Sequence, residues 1–180
     1  SLRDHWRSLK KRRPMERFYN HIPASEVVQY VPDAVWQNYF KFAVVRSPYD
    51  RAVSRFFWRH TRKNRGLSKQ DFRKFLFANP EALARNREKT KVNGKVAMDC
   101  MVRYERFEED LAAVSQHIGL PTNLYDDIKN LTAKKGHRPK NTSAEELFSD
   151  FEDGIALVER VCADDIRDFG YQPPVGQTKD

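Results

Sequence analysis

Arg46, Ser47, Asp50 and Ser54 fall within Phe42-Ala-Val-Val-Arg46-Ser47-Pro48-Tyr49-Asp50-Arg51-Ala-Val-Ser54, and their types and spacing suit the capture of a phosphate-like anion. A guanidinium offers paired N–H donors to such a group. The first backbone amides of a helix have no partner within the helix and point the same way, toward the positive end of its dipole. Phe42 to Val45 reads as a short buried strand. Ser47 suits the N-cap, Pro48 the first helical position, and Asp50 the first turn, where negative charge is favoured. At helical spacing Ser47, Asp50 or Arg51, and Ser54 share a face, so the Ser54 hydroxyl can turn toward the same anion. Periodicity alone favours a plain strand–helix unit of an α/β core whose Arg46 is solvated.

The elements that must position these groups follow from apolar periodicity. A basic helix is expected over Leu2 to Phe18, interrupted at Pro14, and two short helices over Ser25–Tyr30 and Asp33–Tyr39, split by Pro32. Lys41 to Val45 is the first strand and Pro48 to Arg62 the helix after it. A further helix runs from a Ser68 cap to Ala78, stopped by Asn79-Pro80, with another over Glu81–Glu88. Val92-Asn93-Gly94-Lys95 is a turn and Met98 to Tyr104 a second strand. Phe107, Leu111, Val114 and Ile118 make the apolar stripe of a helix closed by Gly119 and Pro121. Lys129 to Thr142 has loop polarity, and Phe151, Ile155, Val158, Cys162 and Ile166 mark one last helix. Strands alternating with helices imply a parallel sheet with ligands beyond the carboxyl ends of the strands, where Arg46 and Arg103 to Glu105 fall.

Val45-Arg46-Ser47-Pro48-Tyr49-Asp50-Arg51-Ala52-Val53-Ser54 resembles the V-R-[ND]-P-[WY]-[DE]-R-x-x-S signature of sulfotransferases that use 3′-phosphoadenosine-5′-phosphosulfate (PAPS), the carbohydrate sulfotransferases in particular. Ser47 stands where Asn or Asp is commoner. Three further segments extend the resemblance, in order, over most of the chain from about His21 to Tyr171. Trp36-Gln-Asn-Tyr39-Phe40-Lys41-Phe42 resembles the W-x-x-Y-F-K-F lead-in to the strand. Arg103-Tyr104-Glu105 with Asp110 resembles the R-[YF]-E-x-L-x-x-D segment, and Asp165-Ile166-Arg-Asp-Phe169-Gly170-Tyr171 the D-I-x-x-F-G-Y ending.

The resemblance implies an α/β, P-loop-NTPase-like sulfotransferase fold with a parallel sheet flanked by helices. It also implies transfer of a sulfuryl group from PAPS to a hydroxyl or amine of a carbohydrate-type acceptor, with no metal. Arg46 and Ser54 take the 3′-phosphate, Ser47 adds to the same site, and Arg138 and Lys140 of the basic loop fold over the nucleotide. His21 is the first choice of catalytic base and Glu105 the second, with an ion pair as the structural alternative for Glu105. The family's upstream P-K-[TAG]-[GA]-[GST]-[TS]-[SW] loop, which cradles the 5′-phosphosulfate, has no match here; His21-Ile22-Pro23-Ala24-Ser25 shares only its first letters. The expectation is therefore a partial, N-terminally incomplete sulfotransferase-like domain over residues 1–172 with a tail at 173–180, starting after that loop or lacking intervening residues.

A net charge of +8 draws the chain toward anionic ligands. An acidic glycan, a nucleotide and nucleic acid all qualify, so two other classes stay open: a non-catalytic or split polyanion- or nucleotide-binding module, and a basic nucleic-acid-binding protein. The run Arg55-Phe56-Phe57-Trp58-Arg59-His60 supplies aromatics beside cations, but at helical spacing these rings suit a core, and no nucleic-acid motif accompanies them. Mean hydropathy is −0.80 and no apolar run approaches the length of a membrane span. Cys100 and Cys162, without metal-ligand spacing, read as buried thiols in the strand and the last helix. A cytoplasmic location is expected, with a Golgi lumen and an anchor missing from this chain as the alternative.

Overall fold

The computed structural model describes residues 18–19, 21–60, 66–78, 80–130, 138–139 and 142–174. The basic helix expected over Leu2 to Phe18 falls almost wholly outside them, as do Lys140 and most of the basic loop. In chain order the elements are α1 (Ala24–Val27), α2 (Asp33–Asn38), β1 (Phe42–Val45), α3 (Pro48–Arg59), α4 (Lys69–Ala78), α5 (Glu81–Glu88), β2 (Lys91–Val92), β3 (Lys95–Val96) and β4 (Cys100–Arg103). A 3-10 turn over Tyr104–Arg106 leads into α6 (Phe107–His117), followed by α7 (Leu124–Ile128), α8 (Ala144–Phe148), α9 (Glu152–Val161) and α10 (Ala163–Phe169). The class is α/β.

Strands β1 and β4 pair in a two-stranded sheet. The backbone N–H of Lys41 meets Asp99 and that of Ser47 meets Glu105, each partner 58 residues further along. A constant offset before and after the strands means they run parallel, so both chains leave the sheet on the same side. Strands β2 and β3 form an antiparallel hairpin whose turn residues, Asn93 and Gly94, both have positive φ, 51° and 76°. That is the geometry of a type I′ Asn-Gly turn.

The chain forms two compact units, one of Ser1–Ala43 with Asn86–Cys100 and one of Val44–Arg85 with Met101–Asp180. In the smaller, the Ala24 amide donates to the Lys89 carbonyl at 2.7 Å, and Lys41 sets its ammonium 5.7 Å from the Trp36 ring centre while pairing with Asp99. These contacts give the Trp36-to-Phe42 lead-in its physical content: the cation is held by a ring and a carboxylate just ahead of the strand.

In the larger unit α3, α4, α8 and α9 enclose an aromatic core. Tyr49, Phe56, Phe72 and Phe148 are each at most 1% exposed, and Phe72 meets Phe56 and Phe148 edge-on at 5.5 and 5.2 Å. Gly154 in α9 is a close-packing glycine, since a Cβ there would lie 2.3 Å from the Phe151 ring. The aromatics of the Arg55-to-His60 run thus divide: Phe56 and Phe57 are core, whereas Trp58 is 47% exposed.

Two local differences from the sequence reading matter. The last helix is two, α9 and α10, broken at Cys162, which sits at the junction 3% exposed; Cys100 lies half-buried in β4. Two short helices, α7 and α8, stand on either side of the loop expected over Lys129–Thr142, in segments the sequence reading left unassigned, capped by Asn123 accepting from the Tyr125 amide and by Ser143 accepting from the Glu146 amide. No helix among the described residues is long and apolar enough to cross a membrane.

Candidate active site

The junction between β1 and α3 is built as the residue types require. β1 ends in buried Val45, Pro48 holds the first helical position, and Asp50 lies in the first turn. Ser47 takes the N-cap position, but its hydroxyl makes no capping bond; its backbone N–H does the work instead, donating to Glu105 Oε1 at 2.7 Å. A carboxylate thus already sits at the amide end of α3, which is the position the sequence assigned to a ligand anion.

Glu105 follows directly on β4, the strand beside β1, so the parallel pairing brings it to Ser47. Its second oxygen accepts from the Tyr171 hydroxyl at 3.2 Å. Burial, and then the neighbouring Glu105 charge, push the Tyr171 pKa far above the usual phenol value, so that hydroxyl keeps its proton and donates. The ion pair considered for Glu105 is therefore replaced by two hydrogen bonds that join the strand end, the helix start and the chain after α10.

Arg46 turns along α3. Its guanidinium pairs with Asp50, four residues on, and lies 4.4 Å from the centre of the Tyr104 ring. Asp50 is shared: its other oxygen takes Arg138, whose Nε is held by the Thr142 carbonyl at 2.6 Å. Two guanidinium groups predicted to face one nucleotide are thus held together, with a carboxylate between them. Ser54, half-buried on the second turn of α3, lies beyond this network.

A cavity of about 590 Å³ opens at this end of α3, lined by Ser47, Asp50, Glu105 and Arg138 and by the segment Gln172 to Pro174. Neither Arg46 nor Ser54 lines it. Arg46 of the expected Arg46 and Ser54 pair instead contacts Asp50 and Tyr104. His21 belongs to the smaller unit, exposed and with a positive φ of 63°.

Arg51, Asp165, Asp110 and Tyr104 lie in the quoted motifs but were given no site role by sequence reasoning, yet they hold the site. Arg51 Nη2 reaches Asp165 at 3.0 Å, with the carboxylate only 2% exposed, and Cys162 Sγ at 3.5 Å. Arg103 grips Asp110 through Nε and Nη2, both at 2.9 Å, and through its own backbone N–H at 2.8 Å. These three donors hold the Asp110 carboxyl below the usual carboxylate range. The recurring segments therefore interlock: Arg46 with Tyr104, Ser47 with Glu105, Arg51 with Asp165, and Tyr171 with Glu105. The available signal was that each motif carries one charged or phenolic group at its edge.

A family model described as the sulfotransferase family matches residues 4–172, a span that contains every one of these interlocking segments. The chain belongs to the sulfotransferase family. Among curated proteins, the chain is similar to an uncharacterized protein of Archaeoglobus fulgidus, 34% identical over 116 residues, which cover 62% of this chain and 92% of that protein. No solved structure matches it. The segments that meet at the start of α3 lie at the carboxyl ends of β1 and β4, where ligands of open α/β sheets bind.

Proposed function

We propose that the protein transfers a sulfuryl group from PAPS to a hydroxyl or amine of a carbohydrate-type acceptor, using the cavity at the start of α3. The observation that carries this reading is the Ser47 amide at the start of α3, which donates to the cavity-lining Glu105 carboxylate and so aims an N–H at the place where the resemblance implies an anion. The residues fit a phosphorylated nucleotide. Arg46 and Arg138 are two guanidiniums held by a single aspartate, and a phosphate can exchange with the Asp50 carboxylate for the same N–H groups.

When bound, PAPS supplies the activated sulfuryl group and an anionic leaving phosphate. Arg138, which lines the cavity, and Arg46, joined to it through Asp50, bind and orient charge at its edge, and fixed cations lower the barrier of a step in which negative charge spreads. Glu105 is the carboxylate within the cavity best placed to take the acceptor proton, and Tyr171 keeps it oriented. His21 is retained as the competing base, Ser54 and Lys140 as further phosphate contacts. A cytoplasmic location is part of this proposal, with a Golgi lumen as the alternative.

The test is titration with adenosine 3′,5′-bisphosphate, followed by transfer of labelled sulfuryl from PAPS to a glycan panel. Arg46→Gln should weaken nucleotide binding by about 10- to 100-fold, the worth of one or two charge-assisted hydrogen bonds. Glu105→Gln should lower the transfer rate while binding holds, and His21→Gln should leave both near wild type. Absence of nucleotide binding by the unmodified chain would refute the reading, and the opposite order of the two base variants would reassign the proton to His21.

A further inference from the structure

Helix α3 carries Arg51, Arg55 and Arg59 four residues apart, one stripe along its surface. Arg51 is accounted for by Asp165. Arg55 is half-buried and sends Nη1 to the Ala82 carbonyl of α5 at 3.3 Å. Arg85 follows Ala82 by one turn on the same face of α5, so Arg55, Arg59 and Arg85 come together on adjoining turns of two helices. None of the three forms an ion pair among the described residues.

Crowding of this kind opposes folding, since like charges one helical turn apart repel. The repulsion registers on Arg55: burial first, then Arg59, Arg85 and Arg51, lower its pKa. Its Nε is buried without a hydrogen-bond partner among the described residues. An anion laid across the three guanidiniums removes the repulsion and engages their N–H groups, and the planar fork suits carboxylate and sulfate oxygens. Arg59 and Arg85 are exposed, so the site is an open strip suited to an extended chain.

We propose that Arg55, Arg59 and Arg85 form a second anion site that takes the sulfate or uronate groups of an acidic glycan. The choice of glycan rests on the sulfuryl-transfer reading above. Counting helical rise, the strip lies about 12–18 Å along α3 from Ser47, so several sugar units would span the two and leave one at the cavity. Trp58, next to Arg59 and 47% exposed, adds an apolar surface for a sugar ring.

The experiment uses the full chain and a fluorescein-labelled, fully sulfated heparin hexasaccharide, with binding read by anisotropy. Arg59→Gln/Arg85→Gln should weaken binding by at least about tenfold, as loss of two charge-assisted contacts requires. A control, Lys129→Gln/Arg167→Gln, removes the same net charge from exposed positions and should cost about twofold or less, the scale of a screened long-range effect. Thermal melts establish that both variants are folded, and adenosine 3′,5′-bisphosphate affinity should be unchanged in both. Equal losses in the two variants would reduce the strip to diffuse charge and overturn the proposal. Tighter binding of a twelve-nucleotide oligothymidine, lost in the same double variant, would overturn the glycan assignment. Loss of hexasaccharide binding only in Arg59→Gln/Arg85→Gln, in a chain that never binds the bisphosphate, would uphold the strip while refuting the nucleotide reading.

Discussion

Removing the Asp165 carboxylate tests the joint between the α3 signature helix and the C-terminal motif. Asp165 is 2% exposed and Arg51 12%, and their contact is 3.0 Å. Arg51 Nε is already buried without a partner among the described residues, so Asp165→Ala leaves a largely buried guanidinium with no other ion pair among them. Breaking one side of such a buried pair typically costs about 3–5 kcal/mol, because the remaining charge stays desolvated. For a chain of this size each kcal/mol moves Tm by about 2–4 °C, which gives an expected fall of about 6–20 °C. Urea unfolding at pH 7, followed by circular dichroism, measures it directly. Replacing both partners, Arg51→Met with Asp165→Leu, removes the stranded charge and should recover most of the loss. A single variant within about 1 kcal/mol of wild type, or a double variant no better than the single one, would refute the claim that this pair ties α3 to α10.

Two further outcomes follow from buried or paired protons. Tyr49 is 1% exposed, its hydroxyl has no hydrogen-bond partner among the described residues, and burial, then Glu159 and Cys162, push its pKa up to about 12. Tyr49→Phe should therefore be neutral or stabilising by up to about 1 kcal/mol. The folded state holds this proton more tightly than the unfolded chain, so wild-type stability should decline as pH rises from about 10 toward 12, and urea midpoints of the variant should lack that part of the decline. Asp110 has the opposite sign: its folded pKa is depressed, so its contribution is present above the unfolded value of about 3.9 and is lost as pH falls through the folded one. Asp110→Asn should cost about 1–3 kcal/mol at pH 7, with the gap to wild type closing in acid; a gap independent of pH would contradict the assignment.

Much of the site was legible because it is local. Strand β1, Pro48 at the helix start and Asp50 in the first turn are fixed by residues within one or two turns of each other, as are α4, with its Ser68 and Asp71 cap, and α5. The α8 cap was missed although a local signal was present: Ser143 followed three residues later by Glu146 is a capping-box spacing. The break at Cys162 had no such marker, since no proline or glycine stands there. It lies where Arg51 contacts both Cys162 and Asp165, which is a tertiary event.

By itself the sequence determined which groups are available: an arginine at a strand end, an amide at a helix start, a basic loop and a carboxylate after the second strand. Only the tertiary structure decided who meets whom. Glu105 reaches Ser47 across 58 residues, Tyr171 reaches Glu105 across 66, and Asp165 reaches Arg51 across 114. Periodicity and capping act over a few residues and carry no information at such separations. The parallel pairing of β1 with β4 and the packing of α9 and α10 supply it, by bringing distant charges into sites where burial makes an unmatched partner costly.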